Sequence, residues 1–142
     1  MSRPVIDVYL REYSSEDAIR KYTSETAGYG ISYLLANDYA DVYLNAVNRF
    51  LKTDRHTPLR LLEFGCGAGM NIISLFKLLE ANGRTVKLAI GTDFSDRLIS
   101  AGNSEAGRFL PAGQREKMRF AVARNEQLAS DVASALKRPK RN

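Results

Sequence analysis

The stretch from Leu59 to Asn71 reads LRLLEFGCGAGMN and decides the fold of this 142-residue chain. It begins with a short apolar run, breaks into three alternating glycines, Gly65, Gly67 and Gly69, and continues with a helical pattern of apolar residues. This order of strand, glycine turn and helix is typical of the ligand-binding corner of an open α/β sheet. Glycine suits such a corner because the backbone turns sharply there and because a ligand approaches the main chain closely. The first amides of the helix lack partners within it and point toward a ligand.

The spacing of the glycines distinguishes between two classes of ligand. The dinucleotide fingerprint is G-x-G-x-x-G, and Met70 stands where that pattern needs its third glycine. This substitution disfavours an NAD-type oxidoreductase, which we keep as a third hypothesis. An acidic residue, Glu63, lies two places before Gly65 and gives the pattern E-x-G-x-G-x-G. That pattern resembles motif I of the class I methyltransferases, which use S-adenosylmethionine as cofactor.

After the glycine turn, the chain alternates between helical and strand patterns. The predicted strands are 59–64, 86–90 (continuing through Asp93 at its tip) and 118–123. Ser95 is predicted to cap the second helix, whereas Pro111 and Gly113 predict a loop. Right-handed connections would give a parallel sheet of three strands in the order 3-2-1, which is a partial doubly wound α/β sheet.

A helical segment is predicted before the sheet. Apolar residues from Ile31 to Leu51, with Val42 and Phe50 among them, recur at three- and four-residue spacing and predict one long amphipathic helix. Ser15 and the acidic residues after it predict the start of an earlier helix. The chain is thus divided into a helical cap segment (1–57), a partial Rossmann-like domain (58–136) and a basic tail (137–142).

Composition narrows the functional classes. The chain is 44% hydrophobic and 26% charged, which is ordinary for a globular protein, and no apolar run approaches the roughly 18 residues of a membrane span. One cysteine permits no internal disulfide and one histidine permits no histidine-cluster metal site. We therefore predict a cytoplasmic protein with no membrane partner and no metal.

The net charge of +5 comes from the end of the chain. Four of the 21 basic residues lie in the last six positions, and without them the balance is 17 basic to 16 acidic residues. A basic tail can bind nucleic acid nonspecifically, but we predict no specific nucleic-acid partner.

Asp93 is the second strong candidate for a site residue. It ends the second predicted strand, where an acid in α/β nucleotide sites accepts hydrogen bonds from the ribose hydroxyls. The methyltransferase resemblance also implies that Phe94 flanks the adenine. The third strand of that family usually offers an aspartate to the adenine amino group, and here Asn125 or Glu126 takes the place. The choice between these two residues stays open.

The resemblance covers about residues 59 to 128 and implies a cofactor site for S-adenosylmethionine. Glu63 would lie near the methionine end of the cofactor, with the backbones of Gly65 and Gly67 running beneath it. The full predicted cofactor-binding set is Glu63, Gly65, Cys66, Gly67, Ala68, Gly69, Asp93, Phe94, Asn125 and Glu126.

The resemblance implies the N-terminal portion of a methyltransferase that acts on a small-molecule acceptor. The family fold continues beyond a third strand, so no catalytic residue is nominated and we expect no activity from this chain alone. The alternative from another class is a truncated or split module that binds a cofactor or a partner without turnover. The strand Leu59–Phe64 is apolar on both faces, as in a buried parallel strand. We expect its free edge to self-associate or to pair with a missing C-terminal half.

Overall fold

The computed structural model describes residues 15–16, 39–51 and 55–137. The predicted helix start at Ser15, the first part of the long helix from Ile31 and most of the basic tail therefore lie outside the described residues. In chain order the elements are α1 (Tyr39–Phe50), β1 (Leu59–Phe64), α2 (Met70–Ala81), β2 (Val86–Asp93), α3 (Asp96–Phe109), α4 (Ala112–Arg115), β3 (Met118–Val122), a 3-10 turn (Asn125–Gln127) and α5 (Leu128–Lys137).

The three strands form one parallel sheet in the order β1-β2-β3, which confirms the predicted fold class. The register aligns Glu63 on β1 with Gly91 on β2, and Gly91 with Phe120 on β3. Residues aligned in this way share one face of the sheet because side chains alternate between faces along each strand. We call this face the α2/α3 face, and the opposite one, which carries Leu62 and Phe64, the α5 face.

The hydrophobic core lies between the sheet and helix α2. Ile72, Ile73, Phe76 and Leu79 follow one another at helical spacing and are at most 1% exposed. They pack with Val86, Ala89 and Met118 from the two neighbouring strands. Burying each side chain of this size stabilises the fold by about 1.5–3 kcal/mol, so α2 anchors the sheet and fixes the start of the helix beside the glycine turn.

Helix α1 confirms the described part of the predicted long helix, but only part of the predicted apolar face is buried. Val47 of that face packs against the core together with Leu44, whereas Val42 and Phe50 are 62% and 84% exposed. The predicted face was wrong at these two residues because the sequence carries two overlapping apolar stripes, and spacing alone does not choose between them.

Among the described elements, helix α5 covers the β3 side of the α5 face and leaves the β1 side exposed. Helix α5 packs against β3, while Leu62 and Phe64 on β1 are 52% and 61% exposed. A groove of about 630 Å³ separates α5 from Leu62. Among the described strands β1 pairs only with β2, so no described strand lies along its other edge.

The ends of the helices follow their local sequence. Ser95 Oγ accepts a hydrogen bond from Leu98 N–H (3.2 Å), which confirms the predicted cap of α3. The predicted loop at Pro111 and Gly113 is instead the four-residue helix α4. Pro111 directly precedes its first residue, where a missing N–H leaves no helical hydrogen bond unmade. No helix in the described ranges is long and apolar enough to cross a bilayer.

Candidate functional site

The glycine turn joins β1 to α2 through three left-handed residues. Gly65, Gly67 and Gly69 have φ of 64°, 57° and 79°, a region that residues with a Cβ avoid. Between them, Cys66 N–H donates to the carbonyl of Thr92 on β2 (2.8 Å) and so continues the strand pairing into the turn. The turn is therefore held at the carboxyl edge of the sheet, where open α/β folds bind their ligands.

The three glycines serve two different purposes. A Cβ built on Gly65 or Gly67 would meet nothing within 4 Å, so the turn is open on the outside at these positions. A Cβ on Gly69 would come within 2.5 Å of the Phe120 ring, and one on Gly91 within 2.8 Å of the same ring. Gly65 and Gly67 thus leave room for a ligand, whereas Gly69 leaves room for a side chain of the protein.

Phe120 was not singled out from the sequence. It lies on β3, 51 positions after Gly69, and no local pattern connects the two residues. Its ring also lies 3.2 Å from the place where a Cβ of Gly102 would stand on α3. The ring thus fills a niche that three glycines from a turn, a strand and a helix leave open.

Asp93 holds the glycine turn in place. Its Oδ2 accepts a hydrogen bond from Gly67 N–H (2.9 Å), and its Oδ1 accepts one from Ser95 N–H (3.0 Å). The carboxylate is 7% exposed. Two backbone donors stabilise its negative charge, and each carboxylate oxygen retains a further lone pair for another donor. The sequence placed Asp93 at the site but did not reveal its bond to the turn 26 residues earlier.

Glu63 and Cys66 lie beside Asp93 in a poorly hydrated part of the site. Burial raises the pKa of the Glu63 carboxyl to about 7. Burial, and then the charges of Glu63 and Asp93, raises the pKa of the Cys66 thiol far above its ordinary value. The thiol is therefore a poor nucleophile at neutral pH.

The remaining predicted residues divide into supporting and peripheral positions. Ala68 is 2% exposed and lies under the turn with Gly69, so its side chain packs inside the protein. Phe94 directly follows Asp93 and is half-buried, as a residue that flanks a ligand could be. Asn125 and Glu126 form the exposed 3-10 turn after β3 and line the groove beside α5. Both remain candidates for the adenine contact.

The described part of the chain brings no group of three or more His, Cys, Asp and Glu side chains together as a metal site. At the carboxyl edge of the sheet it brings together an open glycine turn, the hydrogen-bonded carboxylate of Asp93 and the half-buried carboxyl of Glu63. Such a site offers main-chain surface, acceptor oxygens and negative charge to a ligand that carries hydroxyl groups and positive charge.

Comparisons with known proteins bear on the fold. No family model matches the chain, and no curated protein matches it significantly. Among solved structures, an uncharacterized ACR superfamily protein from Burkholderia thailandensis is similar, with 21% identity and a TM-score of 0.52 over 83% of this chain and 31% of that one.

Two further solved structures are similar at lower scores. The CMeT domain of the citrinin polyketide synthase has 22% identity and a TM-score of 0.43 over 84% of this chain and 36% of its own. YjhP from E. coli has 18% identity and a TM-score of 0.38 over 58% of this chain and 29% of its own. These two scores are too low to support an argument by themselves. The chain spans about a third of the length of the solved structures it matches. The likeness to the first of these structures concerns the fold alone, an open parallel α/β sheet of Rossmann-like type.

Proposed function

We propose that the chain is the cofactor-binding portion of an S-adenosylmethionine-dependent methyltransferase that acts on a small-molecule acceptor. The observation that carries the proposal is the open, left-handed turn at Gly65 and Gly67, where no atom lies within 4 Å of a built Cβ. A turn needed only for chain reversal could pack its glycines inward, as Gly69 does. Gly83, which follows the end of α2, has the same backbone and the same empty space, so these two features alone do not mark a site. Gly65 and Gly67 combine them with a place at the carboxyl edge of the sheet beside Asp93, and this combination favours a ligand lying across them.

Asp93 supports a ligand that carries a ribose. Its two oxygens are fixed by Gly67 N–H and Ser95 N–H, so the carboxylate cannot turn away from the edge of the sheet. The lone pairs that remain could accept two neighbouring hydroxyls. In this proposal Phe94 flanks the adenine, and Asn125 or Glu126 contacts its amino group.

The turn would hold the methionine portion of the cofactor. Met70 begins α2 after Gly69, and no side chain caps the helix, so its first N–H groups are available to a carboxylate. Glu63, on the other side of the turn, would face the positive charge of the cofactor. When bound, the cofactor supplies an electrophilic methyl group, and the chain's own residues bind and orient it.

Methyl transfer depends mainly on the alignment of the acceptor atom with the methyl group. The described residues provide the cofactor side of that alignment. The acceptor side would come from chain beyond the third strand, because the chain spans about a third of each matched structure. The second hypothesis, a cofactor-binding or interaction module without activity of its own, is favoured by the open edge of β1.

Calorimetric titration with S-adenosylhomocysteine and with NAD tests the proposal. S-adenosylhomocysteine should bind and NAD should not. Asp93→Ala should weaken the binding more than Glu126→Ala, because hydrogen bonds to a charged group are worth about 1.5–3 kcal/mol each. Equal affinity of the wild type and Asp93→Ala would show that the carboxylate does not hold the ligand.

A further inference from the structure

Two carboxyl groups at the glycine turn, those of Glu63 and Asp93, differ in the hydrogen bonds that stabilise their charged forms. Glu63 and Asp93 lie on the same face of the sheet near its carboxyl edge, and both act electrostatically on the thiol of Cys66 between them. Asp93 accepts two backbone hydrogen bonds that stabilise its anion. Glu63 makes no hydrogen bond or ion pair with residues 15–16, 39–51 or 55–137, although its side chain is half-buried.

The position of Glu63 in the sheet explains its isolation. Its neighbour on β2 is Gly91, which has no side chain to offer a donor, and Cys66 Sγ occupies the adjacent space 2.9 Å from a Cβ built there. Arg60 points to the opposite face because it is an odd number of residues away along the strand. Glu63 therefore faces the turn with no positive charge from its own strand or from the strand beside it.

The other elements near β1 do not supply a counter-charge either. On α2, Lys77 donates to the carbonyl of Phe109 (3.2 Å) and Glu80 accepts from Val86 N–H (2.8 Å), both toward the amino edge of the sheet. Burial alone, and no charged group of the described residues, raises the pKa of Glu63 to about 7. The titratable groups on the elements around β1 are Cys66 in the turn, Lys87 and Asp93 on β2, Lys77 and Glu80 on α2, and Asp41, Tyr43 and Arg49 on α1.

We infer that Glu63 makes the site sensitive to the charge of its ligand: it is ionised when a sulfonium donor occupies the turn and returns to its partly protonated state when the neutral thioether product does. This inference rests on the proposed function. A cation brought beside a half-buried carboxyl favours the carboxylate, so binding of the donor releases a proton from Glu63 to solvent. In this role Glu63 determines ligand specificity and takes no proton from the acceptor.

Methyl transfer would then remove the positive charge that keeps Glu63 ionised. The bond between the methyl carbon and sulfur breaks with its electron pair going to sulfur, a bond forms from the acceptor atom to the methyl carbon, and the acceptor's own proton leaves to solvent. Sulfur thereby loses its positive charge. At pH 7 Glu63 then takes up from solvent the roughly half proton that donor binding released, and the site no longer holds an ion pair that would retain the product.

Calorimetry in two buffers of different ionisation enthalpy, phosphate and Tris, counts the protons exchanged on binding. At pH 7 the wild-type chain should release about half a proton when it binds S-adenosylmethionine and none when it binds S-adenosylhomocysteine. Its affinity for S-adenosylmethionine should rise about tenfold between pH 6 and pH 8. Glu63→Gln matches the protonated side chain in shape, so it should bind with no proton release and no such pH dependence.

Three results would overturn the inference. Equal proton release with both ligands would mean that Glu63 responds to the ammonium group they share, and binding without any proton release would mean that it does not titrate. Either outcome leaves the proposed function intact. Failure of both ligands to bind at any pH would overturn the proposed function together with this inference.

Discussion

Gly69 offers a sharp test of how the glycine turn is built, because its replacement should destabilise the fold rather than block a ligand. In Gly69→Ala the new Cβ would lie 2.5 Å from two atoms of the Phe120 ring. The left-handed backbone, with φ of 79°, costs a residue with a Cβ about 1–2 kcal/mol. Overpacking against the ring adds about 1–3 kcal/mol. The ring has little room to retreat, because Gly91 and Gly102 are also close to it. We expect a loss of about 2–5 kcal/mol in the free energy of unfolding.

Gly65→Ala is the matched control. Gly65 has a similar backbone, with φ of 64°, but its Cβ would meet nothing within 4 Å. The free energy of unfolding of Gly65→Ala should therefore fall by only about 1–2 kcal/mol, which is the cost of the left-handed backbone. Urea unfolding followed by circular dichroism measures both variants under the same conditions.

A double-mutant cycle isolates the clash itself. Phe120→Leu removes the ring atoms nearest to Gly69, so Gly69→Ala should cost at least about 1 kcal/mol less in that background than in the wild type. If Gly69→Ala is no more destabilising than Gly65→Ala, or if Phe120→Leu gives no rescue, the assignment of Gly69 to internal packing is wrong.

Three other predictions concern pH, assembly and activity. The folded pKa of Glu63, about 7, lies above its ordinary 4.5, so its contribution to stability is complete below pH 4.5 and lost as the pH rises through 7. In urea titrations the free energy of unfolding of Glu63→Gln should therefore exceed that of the wild type by about 2 kcal/mol at pH 8, a figure reduced to allow for partial exposure of the side chain. At pH 4 the two proteins should be equally stable. The open edge of β1 should make the chain self-associate at micromolar concentration, and Leu62→Lys should reduce this in sedimentation; a monomeric wild type with one cooperative melt would contradict it. The 142-residue chain alone should transfer no methyl group, and robust turnover with any acceptor would refute this.

Local patterns were enough to predict most of the sheet. An apolar run bounded by glycine predicted β1, and the cap at Ser95 followed from a side chain that acts within a few residues. The predicted strand order is also confirmed, and it is the order expected when consecutive strands lie next to each other and their connections are right-handed.

Contacts between distant parts of the chain could not be predicted in this way. The hydrogen bond from Gly67 to Asp93 joins residues 26 positions apart, and the packing of Phe120 on Gly69 joins residues further apart still. Both depend on the register between strands, which periodicity does not specify. For the same reason the sequence identified the three glycines of the turn but could not separate the two that face outward from the one that packs inward.

The buried face of α1 shows a different limit. Stripes through Val42 and through Leu44 both have helical spacing, and only the packing on α2 selects the second. Where a helix carries more apolar residues than one face can bury, its sequence predicts the helix and leaves its rotation open.

We propose that the outward side of the glycine turn binds the S-adenosyl cofactor. At 15.8 kDa the chain suits nitrogen–proton correlation spectroscopy, in which each backbone amide gives its own signal. On titration with S-adenosylhomocysteine, we predict that the largest shifts occur at Gly65, Gly67, Asp93 and Phe94, and that Gly113 on the distant helix α4 stays unchanged. Shifts confined to the groove between Leu62 and α5, or no shifts at saturating ligand, would contradict the claim.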